Sequence, residues 1–131
     1  MSSDTDLAYA AGLIDGEGCF STHDNGNGYF GLDLRVVNRD KACLDWLALK
    51  FGGKVYKKGG RNLPSHWSKT YMWVATAGVM RGFLDKMLPY FIVKTKHAQV
   101  VSRFLSLPYG SIGRRTDLAE ELRSLNKAKV Q

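Results

Sequence analysis

Asp15-Gly16-Glu17-Gly18 is the stretch whose residue types and spacing most directly suggest chemistry. Glu17 sits between two glycines just past the expected end of a helix, where its carboxylate faces the negative end of the helix dipole. A divalent cation would remove that penalty. Magnesium chemistry on phosphodiesters needs only one or two carboxylates plus substrate oxygens, so one Glu17 from each of two chains could build a two-metal centre. Upstream, Ala8, Ala11, Gly12 and Asp15 recur at i, i+3, i+4 and i+7, which gathers small residues on one side of the helix. Small side chains let two backbones approach closely, and the mid-helix Gly12 costs about 1 kcal/mol relative to Ala. The segment has no second copy in the chain, so the stripe points to self-association about a two-fold axis.

Other reactive residues are dispersed. Cys19 and Cys43 lack CxxC spacing and neighbouring histidines, and read as reduced thiols of the core. His23, His66 and His97 are scattered, and Trp46, Trp67 and Trp73 suit core or sheet packing, Trp73 fitting either face of a strand. Taken alone, the Asp-Gly-Glu-Gly stretch also admits a plain reading, a small-residue core helix with a glycine cap and a solvated Glu17.

Positioning these groups requires an ordered set of elements. Cap-forming Ser3, Asp4 and Thr5 lead into a helix over Asp4 to Asp15, after which the glycines predict a sharp turn. From Cys19 to Asn38 the pattern has period two and is interrupted by Asp24-Asn-Gly-Asn-Gly, a hairpin turn. In its second strand, Leu32, Leu34 and Val36 share one face, while Gly31, Asp33, Arg35 and Val37 share the other. Asp40 caps a second helix that buries Leu44, Leu47 and Phe51 and stops at Gly52-Gly53. Strands over Lys54 to Lys58 and His66 to Ala75 flank a loop and form a second hairpin. A third helix carries Val79, Met80, Phe83, Leu84, Met87 and Leu88 and ends at Pro89. A fourth, capped by Thr95, buries Ala98, Val101, Phe104 and Leu105. A last one runs from Asp117 to Lys127. The order is α, ββ, α, ββ, α, α, α, an α+β pattern whose four strands form one antiparallel sheet with one face on helices and the other free for a partner.

With 131 residues and 44% apolar content, the chain suits a single domain spanning 1–131. Nineteen Lys and Arg against twelve Asp and Glu give a net charge of +7, which favours polyanions such as nucleic acid. The N-terminus lacks the pattern of a secretory signal and no apolar run reaches membrane-spanning length, so a soluble, intracellular protein is expected, with no membrane partner.

Ala10 to Gly18, AAGLIDGEG, resembles the LAGLIDADG signature of homing endonucleases. Ala11, Gly12, Leu13, Ile14, Asp15 and Gly18 match, Glu17 matches as an acid, and the departures are Ala10 for Leu and Gly16 for Ala. The element order fits the family to about Leu107, and Leu88 to Ala98 resembles its segment entering the fourth helix. The resemblance implies the LAGLIDADG homing-endonuclease fold with extra C-terminal helices, in a single-motif homodimer that cuts both strands of a long, near-palindromic DNA site. It implies that Glu17 and the Gly16 carbonyl bind Mg²⁺, for which Mn²⁺ can substitute, and that Asp15 steadies the helix end. Lys94 matches the family's basic residue near the metal, Asn38 aligns with a residue that positions solvent, and the accompanying Arg lacks a counterpart, Lys41 and Ala42 being nearest. An intron-encoded, mobile-element origin belongs to the same implication.

Strand parity and the resemblance together nominate Ser21, His23, Asn25, Tyr29, Asp33, Arg35, Lys57, Arg61, Lys69 and Tyr71 as DNA-contacting residues. Arg35 suits a bidentate guanine contact, with Asp33 orienting it or accepting from cytosine. Lys54, Lys58, Lys96 and Arg103 suit phosphates. Two rival functions share the scaffold: a non-catalytic DNA-binding regulator, against which the acid at Glu17 argues, and a maturase that binds its host intron RNA.

Overall fold

The computed structural model describes residues 3–26, 29–58, 69–108 and 111–128. Helix α1, Asp4–Glu17, starts in a reciprocal cap: the Asp6 N–H donates to Ser3 Oγ at 3.1 Å, and the Ser3 N–H donates to the Asp6 carboxylate at 3.3 Å. The helix runs two residues beyond the expected Asp15. Strand β1, Gly18–Gly26, follows with no intervening loop. Gly18 is extended, at φ −90° and ψ 160°, and a Cβ there would come within 2.7 Å of the Ile14 carbonyl oxygen. Only glycine lets the strand leave so close to the helix.

β1 pairs antiparallel with β2, Tyr29–Asn38, aligning Cys19 with Arg35, Ser21 with Asp33 and His23 with Gly31. Helix α2, Lys41–Phe51, is capped by Asp40, whose carboxylate accepts the Ala42 N–H at 3.0 Å. Strands β3, Lys54–Lys58, and β4, Thr70–Thr76, complete a sheet of order β1-β2-β4-β3. The expected strand start at His66 and the loop carrying Arg61 lie outside the described residues.

The expected third helix is broken. It forms α3, Ala77–Arg81, and α4, Leu84–Met87, then a 3-10 turn over Leu88–Tyr90. Gly82 ends α3 by donating its N–H to the Val79 carbonyl at 3.0 Å, and Phe83 leaves the helical region at φ −138°. The apolar spacing that suggested one helix is kept, because Met80, Phe83, Leu84 and Met87 are all buried. Helix α5, Thr95–Ser106, is preceded by Lys94 at the cap position. Thr95, the expected cap, instead donates its hydroxyl back to the Phe91 carbonyl at 2.9 Å. Helix α6, Ile112–Ala128, begins earlier than expected, its first turn closed by the Arg115 N–H to the Ser111 carbonyl at 3.0 Å. Asn126 Nδ2 donates to the Phe20 carbonyl at 2.9 Å and fastens α6 to β1.

Phe20, Leu32, Leu34, Val36, Trp73 and Ala75 form the buried sheet face and join Leu7, Ala10, Ala11 and Ile14 of α1 in one core. Trp73 is fully buried on this face, and its Nε1 donates to the Gly52 carbonyl at 2.8 Å. Beside it, Gly53 has φ 89°, and a Cβ there would meet the Val74 carbonyl oxygen at 2.6 Å and Trp73 Nε1 at 2.7 Å. Gly53→Ala should therefore destabilise the chain by about 2 kcal/mol in urea unfolding. Gly113→Ala, a helical site with nothing within 4 Å of the added Cβ, should leave stability unchanged or raise it by up to about 1 kcal/mol. Equal behaviour of the two variants would contradict the close packing at Gly53.

Candidate active site and nucleic-acid interface

The end of α1 carries the acidic candidate. Glu17 is exposed at the last helical position and lines a shallow depression with Val37, Asn38, Arg39 and Thr70. A second depression runs from Glu17 along the outer side of α1 past Ala8, Tyr9, Gly12, Leu13 and Gly16. Among the described residues no group of three or more His, Cys, Asp or Glu could hold a metal ion. One chain offers a single carboxylate here, together with main-chain carbonyls such as that of Gly16. By its chemistry that donor set could hold a hard divalent cation only with water or other oxygens completing the shell.

Asp15 does more than steady its own helix. Its carboxylate accepts the main-chain N–H groups of Ile92 at 2.8 Å and of Lys94 at 2.9 Å, and so docks the segment before α5 onto the end of α1. The Lys94 side chain, only 7% exposed, returns to donate from Nζ to the Asp15 carbonyl at 3.0 Å. An ammonium group at the negative end of the helix is favoured by the dipole, and here it lies one residue from Gly16 and two from Glu17 along the chain. The clamp leaves Ile92 and Val93 pointing outward, 86% and 70% exposed.

Asn38 shares both depressions with Glu17, but its Oδ1 accepts the Asp40 N–H at 2.9 Å and shapes the turn into α2. Lys41, the nearest residue to the expected second base, pairs instead with Asp45 at 3.0 Å along α2. Arg39, which no motif signals, stands in the depression beside Glu17. The clue to it was its place directly after the last residue of β2. The Cys43 thiol, in the first turn of α2, is pushed up by partial burial and then by the Asp40 carboxylate, with a smaller push from Glu17.

Of the small-residue stripe, Ala8 and Gly12 are exposed and Asp15 is half-buried in its clamp, but Ala11 is fully buried in the core of its own chain. The outward stripe is therefore Ala8, Gly12 and Gly16, at i, i+4 and i+8. At both glycines an added Cβ would meet nothing within 4 Å.

The open sheet face follows the pairing register. On it lie Ser21, His23, Asp33 and Arg35, as strand parity suggested for the first hairpin. His23 Nδ1 lies 3.4 Å from the Asp33 carboxylate, which the Arg35 guanidinium also meets at 3.2 Å. The His23 ring crosses above Gly31, where a Cβ would overlap it. The second hairpin has the opposite parity to the one expected. Tyr71 pairs with Lys57 and precedes Trp73 by two, so both sit on the helix-facing side, and Lys69 precedes β4 as an exposed residue. Burial of Trp73 decides this, since it turns Lys54, Tyr56, Thr70, Met72, Val74 and Thr76 to the open face instead. The side chains of Asn25 and Tyr29, like Arg61, lie outside the described residues.

No protein-family model matches the chain, and no curated protein does. Solved structures match it throughout. An archaeal intron-encoded homing endonuclease, I-Vdi141I, complexed with DNA, has 19% identity over 94% of this chain and 85% of its own, with a TM-score of 0.73. The homing endonuclease I-CvuI, solved with its target in the presence of calcium, has 19% identity over 92% of this chain and 82% of its own, also at 0.73. The meganuclease I-SmaMI, bound to uncleavable DNA, has 17% identity over 93% of this chain but 44% of its own, at 0.65. The chain has the homing-endonuclease fold. Among the described residues, no helix is long and apolar enough to cross a membrane.

The Asp15 clamp makes a measurable claim. Charge-assisted hydrogen bonds contribute about 1.5–3 kcal/mol each, so Asp15→Ala should lower unfolding free energy by at least about 2 kcal/mol. It should also speed amide exchange at Ile92 and Lys94 more than within α5. Unchanged protection at those two amides would contradict the clamp.

Proposed function

We propose that the chain is one half of a magnesium-dependent endonuclease that binds duplex DNA on its open sheet face and cuts both strands as a homodimer. The observation that carries this reading is the single Glu17 carboxylate at the end of a helix whose outward side is bare at Gly12 and Gly16, where an added Cβ would meet nothing within 4 Å. Glycine inside a helix costs about 1 kcal/mol relative to Ala, so the mid-helix Gly12 is unfavourable unless another backbone packs there. A second copy of α1 fits that description and brings a second Glu17. The two-fold longer chain of I-SmaMI, matched over less than half of itself, supports a two-unit assembly. The DNA named in the neighbours' structures supports the substrate.

In this reading a bound divalent ion supplies Lewis acidity at the scissile phosphate and a more acidic water. Glu17 and the Gly16 carbonyl would hold it. Lys94, fixed by its bond to the Asp15 carbonyl, and Arg39 place positive charge where the phosphate gains negative charge in the transition state. Asn38 Nδ2 orients the attacking water. Asp33 holds the Arg35 guanidinium for a guanine edge, while His23 and Ser21 extend the polar surface, and the excess of Lys and Arg adds attraction to phosphates.

Glu17→Gln should lower the cleavage rate at least about 100-fold with magnesium or manganese, while DNA affinity stays within a few-fold of the unmodified chain. Cutting at the native rate by that variant would refute the role of Glu17. A bound DNA that the native chain never nicks would identify a regulator, and tight intron RNA binding with splicing rescue a maturase. Gly12→Leu should convert the dimer to a folded monomer, read by light scattering, and abolish double-strand cutting. A cleaving monomer would refute the two-chain arrangement.

A further inference from the structure

The open sheet face is divided into rows by its pairing register, and one row has a different chemistry from the others. Val37, Met72 and Tyr56 stand directly opposite one another across β2, β4 and β3. None of the three belongs to the buried sheet face, and Tyr56 is 49% exposed. The next row places Val74 between two cations, Arg35 on β2 and Lys54 on β3. The row after that is polar, with Asp33 between Ser21 and Thr76. Val37 also lines the depression that holds Glu17, so the apolar row lies between the acidic site and Arg35.

From this order we infer that the Val37–Met72–Tyr56 row reads thymine methyl groups, on base pairs lying between the scissile phosphate and the guanine contacted by Arg35. The inference rests on the endonuclease reading above and adds to it the base composition of the target. An apolar row edged by Arg35 and Lys54, on a chain of net charge +7, faces a polyanion. In the major groove of duplex DNA the apolar feature that distinguishes one base pair from another is the thymine C5-methyl. The Arg35 guanidinium, already oriented by Asp33, suits the O6 and N7 acceptors of guanine. Each half-site therefore carries thymine nearer the cut and guanine farther from it.

The test is a binding selection on a randomised duplex library with the full chain, followed by affinity measurements on the enriched site. Enriched sites should show thymine at one or more positions between the cut and a guanine. Replacing those thymines by uracil, which removes only the methyl, should weaken binding about 4-fold per methyl. Met72→Ala, and Val37→Thr as a near-isosteric variant that spares packing, should relax thymine preference there about 5-fold and leave the guanine preference intact. Arg35→Ala should do the reverse. Enriched sites with G·C pairs at those positions, or an affinity unmoved by uracil, overturn the inference and leave the endonuclease reading standing. A selection that enriches no duplex sequence overturns both.

Discussion

The reciprocal clamp between Asp15 and Lys94 holds the functional end of this molecule together. Two main-chain donors from the segment before α5 converge on one carboxylate, and the lysine of that segment returns to the carbonyl of the same aspartate. Residues separated by 79 positions in sequence are thereby fixed at the end of α1. Helix and sheet meet there without a loop, because Gly18 lets β1 leave within contact of Ile14. Displacing the clamp would move Glu17, Lys94 and Gly18, the first residue of the sheet, together.

Much of this was legible in the sequence, for identifiable reasons. The first hairpin alternates strictly, so Ser21, His23, Asp33 and Arg35 could be assigned to one face. The second hairpin could not be assigned in the same way, because Trp73 suits either side of a strand and the intervening loop gives no register. Burial of Trp73 against Phe83, with its indole bonded to Gly52, settles the face and exchanges Lys57 and Tyr71 for Lys54, Tyr56 and Met72. Helical spacing likewise marked Met80, Phe83, Leu84 and Met87 as core but could not reveal the break at Gly82, since a kinked path keeps the same residues inside.

Within the site, residue type was more readable than function. Asp15 was expected to serve its own helix end, and its bonds reach instead to main-chain groups far along the chain. Ala11 shares a helical stripe with Ala8 and Gly12 by spacing, yet a rotation of a few tens of degrees turns it into the core. Arg39 carries no motif, and only the course of the chain after β2 brings it beside Glu17.

The bare outward side of α1 has a further consequence on the two-chain reading. Gly12 weakens the helix of a lone chain by about 1 kcal/mol relative to Ala, Gly16 next to its end adds less, and a neighbour packed on that side would offset the loss. Association and conformational stability would then be linked, so dilute chains would lose activity and unfold more easily. Active enzyme would rise with the square of synthesis at low expression. A cell making little of this chain would then hold mostly unpaired copies, a dosage threshold to which the two missing methyl groups of each helix contribute.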